Sequence, residues 1–492
     1  MTNQTEQTSR TTSLAESPLA PTYDRSAITT GIVHFGVGGF HRAHHAMYMD
    51  RLMREGKALD WGICGVGLLP GDAAMRDALT SQDTLYSLTL KHPDGHLEPA
   101  IIGSIHRYLF APDARDEVLD VLTAPTTRIV SLTVTEGGYN IDDATGVFRA
   151  DAEGAVHDAE NPHEPVTAFG YIVEALRRRR EEGVAPFTVM SCDNLPGNGK
   201  VARTAVVSQA RLSDPELADW IDANVAFPNC MVDRITPRTT DEDIALVRSE
   251  LGVDDAWPVV AEPFTQWVLE DEFPAGRPPY EEVGVQMVDD VVPYELMKLR
   301  LLNASHQALA HWGRPLGMTY GHEAAADPQI AAWTRAYLER EALPTLRPVP
   351  GIDLPAYVDS LFERFTNAAI ADTLARLAFF GPSGMPKFVL PTIRENLEAG
   401  RSIRLGAALC AAWAWCAEGV DEAGHPIPDA QDHLEDYGQR QRDGEEDAFL
   451  TNEEIFSGLG SDERFRSAFL AELAAIKTQG VRARMEATLN ES

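Results

Sequence analysis

The stretch IVHFGVGGFHRAHHAMYMDRLMREG, Ile32 to Gly56, limits the fold more than any other part of the chain. Ile32 to Phe35 is a short, mostly apolar run with the character of a buried strand. Gly36 to Phe40 is a tight turn, and His41 to Glu55 has the spacing of a helix stopped at Gly56. Strand, glycine turn and helix in that order open a doubly wound parallel sheet. Gly36 makes the turn and Gly38 lets the backbone approach a pyrophosphate at the helix N-terminus. His41 stands where a third glycine would complete the fingerprint.

The following segments extend that sheet. Trp61 to Val66 is a second strand, and the nearest downstream acid is Asp72, which either grips a ribose or caps the next helix. A carboxylate facing the ribose favours NAD over a 2'-phosphorylated cofactor. Leu85 to Lys91 and His96 to Ile105 alternate around Asp94 and Gly95, a hairpin expected to insert into the sheet. Pro112 to Leu122 reads as a helix, and strand Arg128 to Thr135 ends in TEGGYN, so Glu136 and Tyr139 are candidates to line a pocket at the carboxyl edge. A helix from Glu164 to Arg180 leads to strand Phe187 to Cys192 and then DNLPGNGK. Asn194 there either offers an amide to a substrate oxygen or caps the following helix. Met231 to Ile235 carries Asp233 and Arg234, and Pro258 to Leu269 carries Glu262, as pocket residues or internal ion pairs.

Beyond Asp290 strand signals stop and helical periodicity takes over, through Pro328–Glu341, Ala356–Arg364, Asn367–Phe379, Leu390–Glu398, Ser402–Glu418 and Asp462–Leu489. The expected organisation is a flexible lead-in at 1–27, an α/β dinucleotide-binding Rossmann-type domain at 28–289 and a mostly α-helical domain at 290–492. The second domain begins with PYELMKLRLLNASHQALAHWG, whose apolar residues fall all round the helix axis, as in a helix buried among others. At about 100° per residue Lys298, His306 and Asn303 sit at about 0°, 80° and 140°, on one broad polar face. Desolvation disfavours an ammonium, so a buried Lys298 becomes a usable proton acceptor, and Asn303 can meet an oxygen gaining negative charge. The competing reading has Lys298 snorkelling to water while Asn303 and His306 satisfy backbone groups.

Composition narrows the function. The chain has 42 Lys plus Arg against 75 Asp plus Glu, a formal charge of -33, which repels nucleic acid and anionic membranes. Five scattered cysteines with no CxxC pair fit reduced thiols, and no apolar run reaches the length of a membrane span or signal core, so the cytoplasm is expected. No metal is expected: His41 and His45 lie one turn apart without a third ligand, and His322 and Glu323 begin HEAAA rather than HExxH.

The segments GVGGFHRAHHAMY, SLTVTEGGYN, CDNLPGNGK, FPNCMVDRITP, EPFTQWVLEDEF, KLRLLNASHQALAHWG and KFVLPTIRENL together resemble the long-chain polyol dehydrogenase, or mannitol dehydrogenase, family, from about residue 28 onward. The resemblance implies metal-free, NAD-dependent interconversion of D-mannitol and D-fructose. It assigns Lys298 as general base and acid, Asn194 and Asn303 as the amides on the reacting oxygen, His306 as substrate-orienting, and Glu295 as a proton relay. Asp233, Val232 and Arg376 match substrate-pocket positions; Glu136 and Lys387 join them as candidates. Gly36, Gly38, Gly39, Phe40 and Arg42 fall on the family's cofactor loop, and Asp72 on its ribose-binding acid, with Gly71 where a second acid often stands. Family analogy also implies a monomer. The rival readings are D-arabinitol or a hexuronate such as mannonate or altronate as substrate, with Arg376 or Lys387 taking the carboxylate, and a non-catalytic NAD-binding sensor.

Overall fold

The computed structural model describes residues 11–142, 145–379, 381–427 and 434–490. It divides into two compact units, Met1–Val291 and Val292–Ser492.

In the first unit, strands β1 (Thr30–Phe35) and β2 (Gly62–Gly67) are followed by β3 (Tyr86–Lys91), β4 (Leu97–Ile102), β5 (Ile105–Phe110), β6 (Ile129–Leu132) and β7 (Thr188–Ser191). Then come β8 (Cys230–Asp233), β9 (Val259–Ala261), β10 (Gln266–Glu270) and β11 (Gln286–Val288). The main sheet has the order β5-β2-β1-β6-β7 with every pairing parallel, the expected Rossmann-type sheet. Chain order reverses direction about β1, so the crevice at its carboxyl end, between the loops after β1 and β6, is where such sheets take ligands. Strand alternation explains the apolar run of β1. Ile32 packs on one face with Met49, Leu52 and Trp267, while Val33 and Phe35 pack on the other with Leu119, Phe169 and Ile172.

Several expectations are corrected here. The hairpin β3–β4 stays out of the main sheet and forms its own with β9. Ile105 opens β5, an edge strand paired to β2, rather than closing the hairpin. The run Pro258–Leu269 is two strands, and β10 joins β8 and β11 in a third sheet. The helix expected over His41–Glu55 is two, Gly39–Ala43 and His45–Arg54, broken at His44 with φ −122° and ψ −91°. Residues 1–10 of the expected lead-in lie outside the described residues, but 11–27 are fixed in place. Leu14 is buried, Tyr23 donates to the Asp50 carboxylate at 2.5 Å, and Arg25 pairs with Asp83.

The second unit is helical, as expected. Its central rod runs Val292–Met297, Lys298–Asn303 and Ala304–Gly313, and the middle piece is a π-helix. The rod's last stretch packs against the helices Gly321–Ala326, Pro328–Tyr337, Leu374–Phe379 and Arg404–Cys416. Two long expected helices are interrupted. Ala371, at φ +49°, separates Ala368–Ile370 from Leu374–Phe379, and Gly480, at φ +85°, separates Glu463–Gln479 from Val481–Asn490. Proline at 386 hides a further helix, Gly381–Phe388, that periodicity does not announce.

Candidate active site

In the first unit the site is built on the carboxyl edge of the sheet. Gly36 has φ +90°, and a Cβ there would stand 2.1 Å from the Thr133 carbonyl oxygen, so only glycine lets β1 turn this close to the end of β6. Gly38 precedes the helix Gly39–Ala43, and a Cβ on it would meet nothing nearer than Gly36 O at 3.9 Å. Space above a helix N-terminus is what a bound pyrophosphate needs. Gly39 has similar room, 3.7 Å to Thr236, and Phe40 stacks on His44 with centroids 5.0 Å apart. Arg42 is placed otherwise than expected. Its side chain is 1% exposed, donates to the Trp257 carbonyl at 2.5 Å and lies over the Tyr86 ring, a structural role.

Of the two things expected of it, Asp72 does not cap the next helix. Gly71 is the N-cap, and the Asp72 Oδ2 accepts the N–H groups of Leu68 and Leu69 at 2.8 and 2.9 Å, closing the loop after β2. That loop borders a cleft of about 620 Å³ lined by Leu68, Pro112, Arg115, Val166 and Tyr171.

At the ends of β6 and β7 the organising residue is Asp193. Its carboxylate accepts from Val134 N, Thr135 N and the Tyr139 hydroxyl at 3.0, 2.9 and 2.7 Å, which holds Thr135 at a strained φ of +65°. Burial pushes Asp193 above the usual carboxylate range against the pull of those donors. Tyr139 is therefore a buried strut rather than a pocket residue, and Glu136 begins the short turn beside it. Asn194, next in sequence, is exposed and does not cap the following helix. Gly197 is its N-cap, and Asn229 from the turn before β8 accepts from Gly199 N and Lys200 N at 3.1 and 3.3 Å. Asn198, fully buried, ties Asp193 O to Cys230. Sequence alone missed Asn198 and Asn229; their partners lie some 30 residues away in sequence, so no local spacing announces them.

Asp233 ends β8 with 3% exposure, opposite Gln266. Val232 points the other way, into the core with Trp267, so it supports the site rather than lining it. Arg234 is internal, bonded to the carbonyls of Glu262 and Ala43, and burial pushes it down to about 10. Glu262 accepts Ile235 N at 2.6 Å.

A third imidazole, unforeseen, joins His41 and His45. Nitrogens of His34, His41 and His45 lie within 4.8 Å of one another, all buried. His34 and His41 stack with centroids 3.4 Å apart and planes 12° apart, so their in-plane lone pairs run side by side instead of converging on one ion. His34 also engages Ser131 and Thr133 through its two nitrogens. Desolvation pushes His34 down to about 3 and holds His41 and His45 well below the usual imidazole range, leaving a neutral stack against the glycine turn.

In the second unit Glu295, Lys298 and Asn303 are 7%, 7% and 6% exposed, and His306 is half-buried with its ring 5.0 Å from Phe365. The π-helix spans Lys298 to Asn303, five residues apart. In the α register those two are about 140° apart, and the wider turn, bonded i to i+5, brings them towards one line. Arg376 makes a two-pronged ion pair with Asp372, Nε to Oδ1 at 2.5 Å. Lys387 is half-buried on the helix Gly381–Phe388.

Residues 30–282 match the family described as Mannitol dehydrogenase Rossmann domain, and residues 290–477 that described as Mannitol dehydrogenase C-terminal domain. Mannitol dehydrogenase 2 of Saccharomyces cerevisiae is 48% identical over 412 residues, 83% of this chain and 81% of the yeast protein. A mannitol 2-dehydrogenase of Aspergillus fumigatus is 43% identical over 470 residues, covering 94% and 93%. Among solved structures, mannitol 2-dehydrogenase of Pseudomonas fluorescens, in ternary complex with NAD and D-mannitol, is 46% identical with a TM-score of 0.88, covering 96% of each chain. A substrate-free D-sorbitol dehydrogenase is 40% identical with a TM-score of 0.85, covering 94% of this chain and 96% of that one.

Proposed function

The chain belongs to the mannitol dehydrogenase family, and from that premise we propose that it oxidises D-mannitol to D-fructose with NAD, and catalyses the reverse reduction, without a metal. The observation that carries the reading is the burial of Lys298 and Asn303 together on one wide helical turn, in a chain matched to the family through both units. The chemistry NAD supplies when bound is hydride acceptance from the carbinol carbon. Gly36 makes the turn and Gly38 leaves open the space a side chain would fill, and Asp72 favours a ribose diol over a 2'-phosphate. The cleft beside Leu68 suits the cofactor's adenosine end.

Lys298 Nζ takes the hydroxyl proton as the C–H bond breaks, and the amides of Asn303 and Asn194 donate to the oxygen as it gains charge. His306 orients a neighbouring hydroxyl, Glu295 passes the proton between Lys298 and solvent, and Asp233 holds a hydroxyl of the polyol. Two amides and an ammonium share the Lewis-acid role, and the stacked histidines lack the convergent lone pairs of a metal centre. Arg376 is neutralised by Asp372, which suits a polyol hydroxyl better than a uronate carboxylate. Among the described residues no helix is long and apolar enough to cross a membrane, and the five cysteines are free and buried. The enzyme is taken as monomeric and cytoplasmic.

Lys298 must be neutral for oxidation and charged for reduction, so the two directions respond oppositely to pH. The kcat for D-mannitol oxidation rises with pH through the ionisation of one group, and the kcat for D-fructose reduction falls. Parallel profiles in the two directions would contradict a single lysine acid and base.

A further inference from the structure

The π-helix at the centre of the second unit needs something to hold it. A turn bonded i to i+5 has poorer hydrogen-bond geometry than the α-helix on either side and occurs mainly as single wide turns at functional sites. Here it occupies Lys298 to Asn303, the two residues assigned to the reacting oxygen, with α-helix before and after. The Ala304 N–H at its C-terminal end is shared between the carbonyls of Leu299, five residues back, and Leu301, and the Ser305 hydroxyl donates to the Leu301 carbonyl at 2.6 Å.

Arg300 stands within this turn and is 4% exposed. Two residues on from Lys298, it lies roughly opposite it on the helix, about half a turn away in the α register and in the wider one alike, so it faces away from the proposed chemistry. Its Nη1 donates to the Thr345 carbonyl at 3.0 Å and to Glu395 Oε2 at 2.9 Å, and its Nη2 donates to Glu395 Oε1 at 2.6 Å. The planar fork is thereby fixed from two directions, by the helix Leu390–Glu398 and by the turn Leu343–Thr345. A buried guanidinium held by both terminal nitrogens resists displacement of the turn from which it projects.

Resting on the catalytic reading above, we propose that Arg300, clamped by Glu395 and the Thr345 carbonyl, is a positioning residue that keeps the Lys298–Asn303 turn wide and so sets Lys298 and Asn303 on one oxygen. Without the clamp the turn relaxes towards α geometry, the lysine and amide swing apart, and the near-attack arrangement is lost while cofactor binding is kept.

The test compares Arg300→Met, Arg300→Lys and Glu395→Gln with the wild type and with Lys298→Ala. Each is assayed for D-mannitol oxidation with NAD across pH, for NADH binding by fluorescence titration and for thermal unfolding. Arg300→Met is expected to lose about 100-fold in kcat, with KM for NAD and NADH affinity within about twofold of wild type. The midpoint of its kcat–pH profile shifts, because the lysine has moved relative to its surroundings. Arg300→Lys, which can reach one partner but not form the fork, recovers part of the loss. Glu395→Gln loses about tenfold in kcat. Glu395 is 43% exposed on its side chain and accepts the neutral isostere, so this variant decides the matter should Arg300→Met fail to fold. Wild-type kcat and pH midpoint in Glu395→Gln and Arg300→Lys, even with a lowered unfolding temperature, would reduce the clamp to a stability contact and overturn the proposal. Turnover retained in Lys298→Ala is a different failure, that of the catalytic assignment itself.

Discussion

Lys298→Ala is expected to reduce kcat for D-mannitol oxidation by about 10³- to 10⁴-fold while NADH binds as in the wild type. The size of the effect follows from the lysine's double use. In the proposed mechanism it removes the proton in the oxidation step, and once protonated it stabilises the oxygen alongside the Asn303 amide. At 7% exposure, with Glu295 equally buried one turn earlier, its amine has no ready replacement from bulk water. A small primary amine supplied in the medium should therefore restore part of the lost rate to Lys298→Ala. The competing reading, a lysine snorkelling to solvent, predicts a variant with altered stability and near-normal kcat. Turnover and amine rescue separate the two.

Gly36→Ala should be the most damaging single methyl group in the first unit. The added Cβ falls 2.1 Å from a backbone carbonyl, that of Thr133, which cannot rotate aside as a side chain would, and the backbone sits at φ +90°. The left-handed conformation alone costs about 1–2 kcal/mol, and relieving the clash adds to it, so a loss above about 2 kcal/mol is expected, with at least tenfold weaker NADH binding. Gly56→Ala is the matched control. Its φ is +74°, but nothing lies within 4 Å of the new Cβ, so it should cost about 1 kcal/mol and leave NADH binding intact. Denaturant unfolding and NADH titration of the two variants check both statements. Equal effects would mean that contact with Thr133 does not matter.

Much of the fold was legible because buried parallel strands and glycine turns leave local marks. Ile32–Phe35, its turn and the strands ending at TEGGYN and DNLPGNGK announce a Rossmann-type sheet, and the helical texture beyond Asp290 announces the second unit. What stayed hidden depends on partners distant in sequence. The hairpin's alternation is real, but that β3 pairs with β9, Leu88 beside Val259, is settled by packing across some 170 residues of chain. His34 looked like one polar residue in an apolar strand, and only the fold stacks it on His41.

The candidate site was partly legible for the same reason. A lysine, an amide and a histidine on an apolar helix stand out against their neighbours, yet their angular placement assumed 100° per residue, which the π-helix does not keep. In sequence Asn194 stands out in DNLPGNGK, yet the three bonds of Asp193 to Val134, Thr135 and Tyr139 fix the loop that carries Asn194. Arg42 matched a cofactor motif by position, but its buried guanidinium serves Trp257 and Tyr86 instead.

The central claim is most directly tested by following NADH or NADPH absorbance with the purified protein. D-mannitol, D-arabinitol, D-sorbitol, mannonate and altronate are each offered with NAD and with NADP, in buffer treated with a chelator. The highest kcat/KM is expected for D-mannitol with NAD, unaffected by the chelator. A preference for mannonate or altronate would contradict it and place Arg376 or Lys387 on a carboxylate, and silence across all five substrates would leave a protein that binds the cofactor without using it.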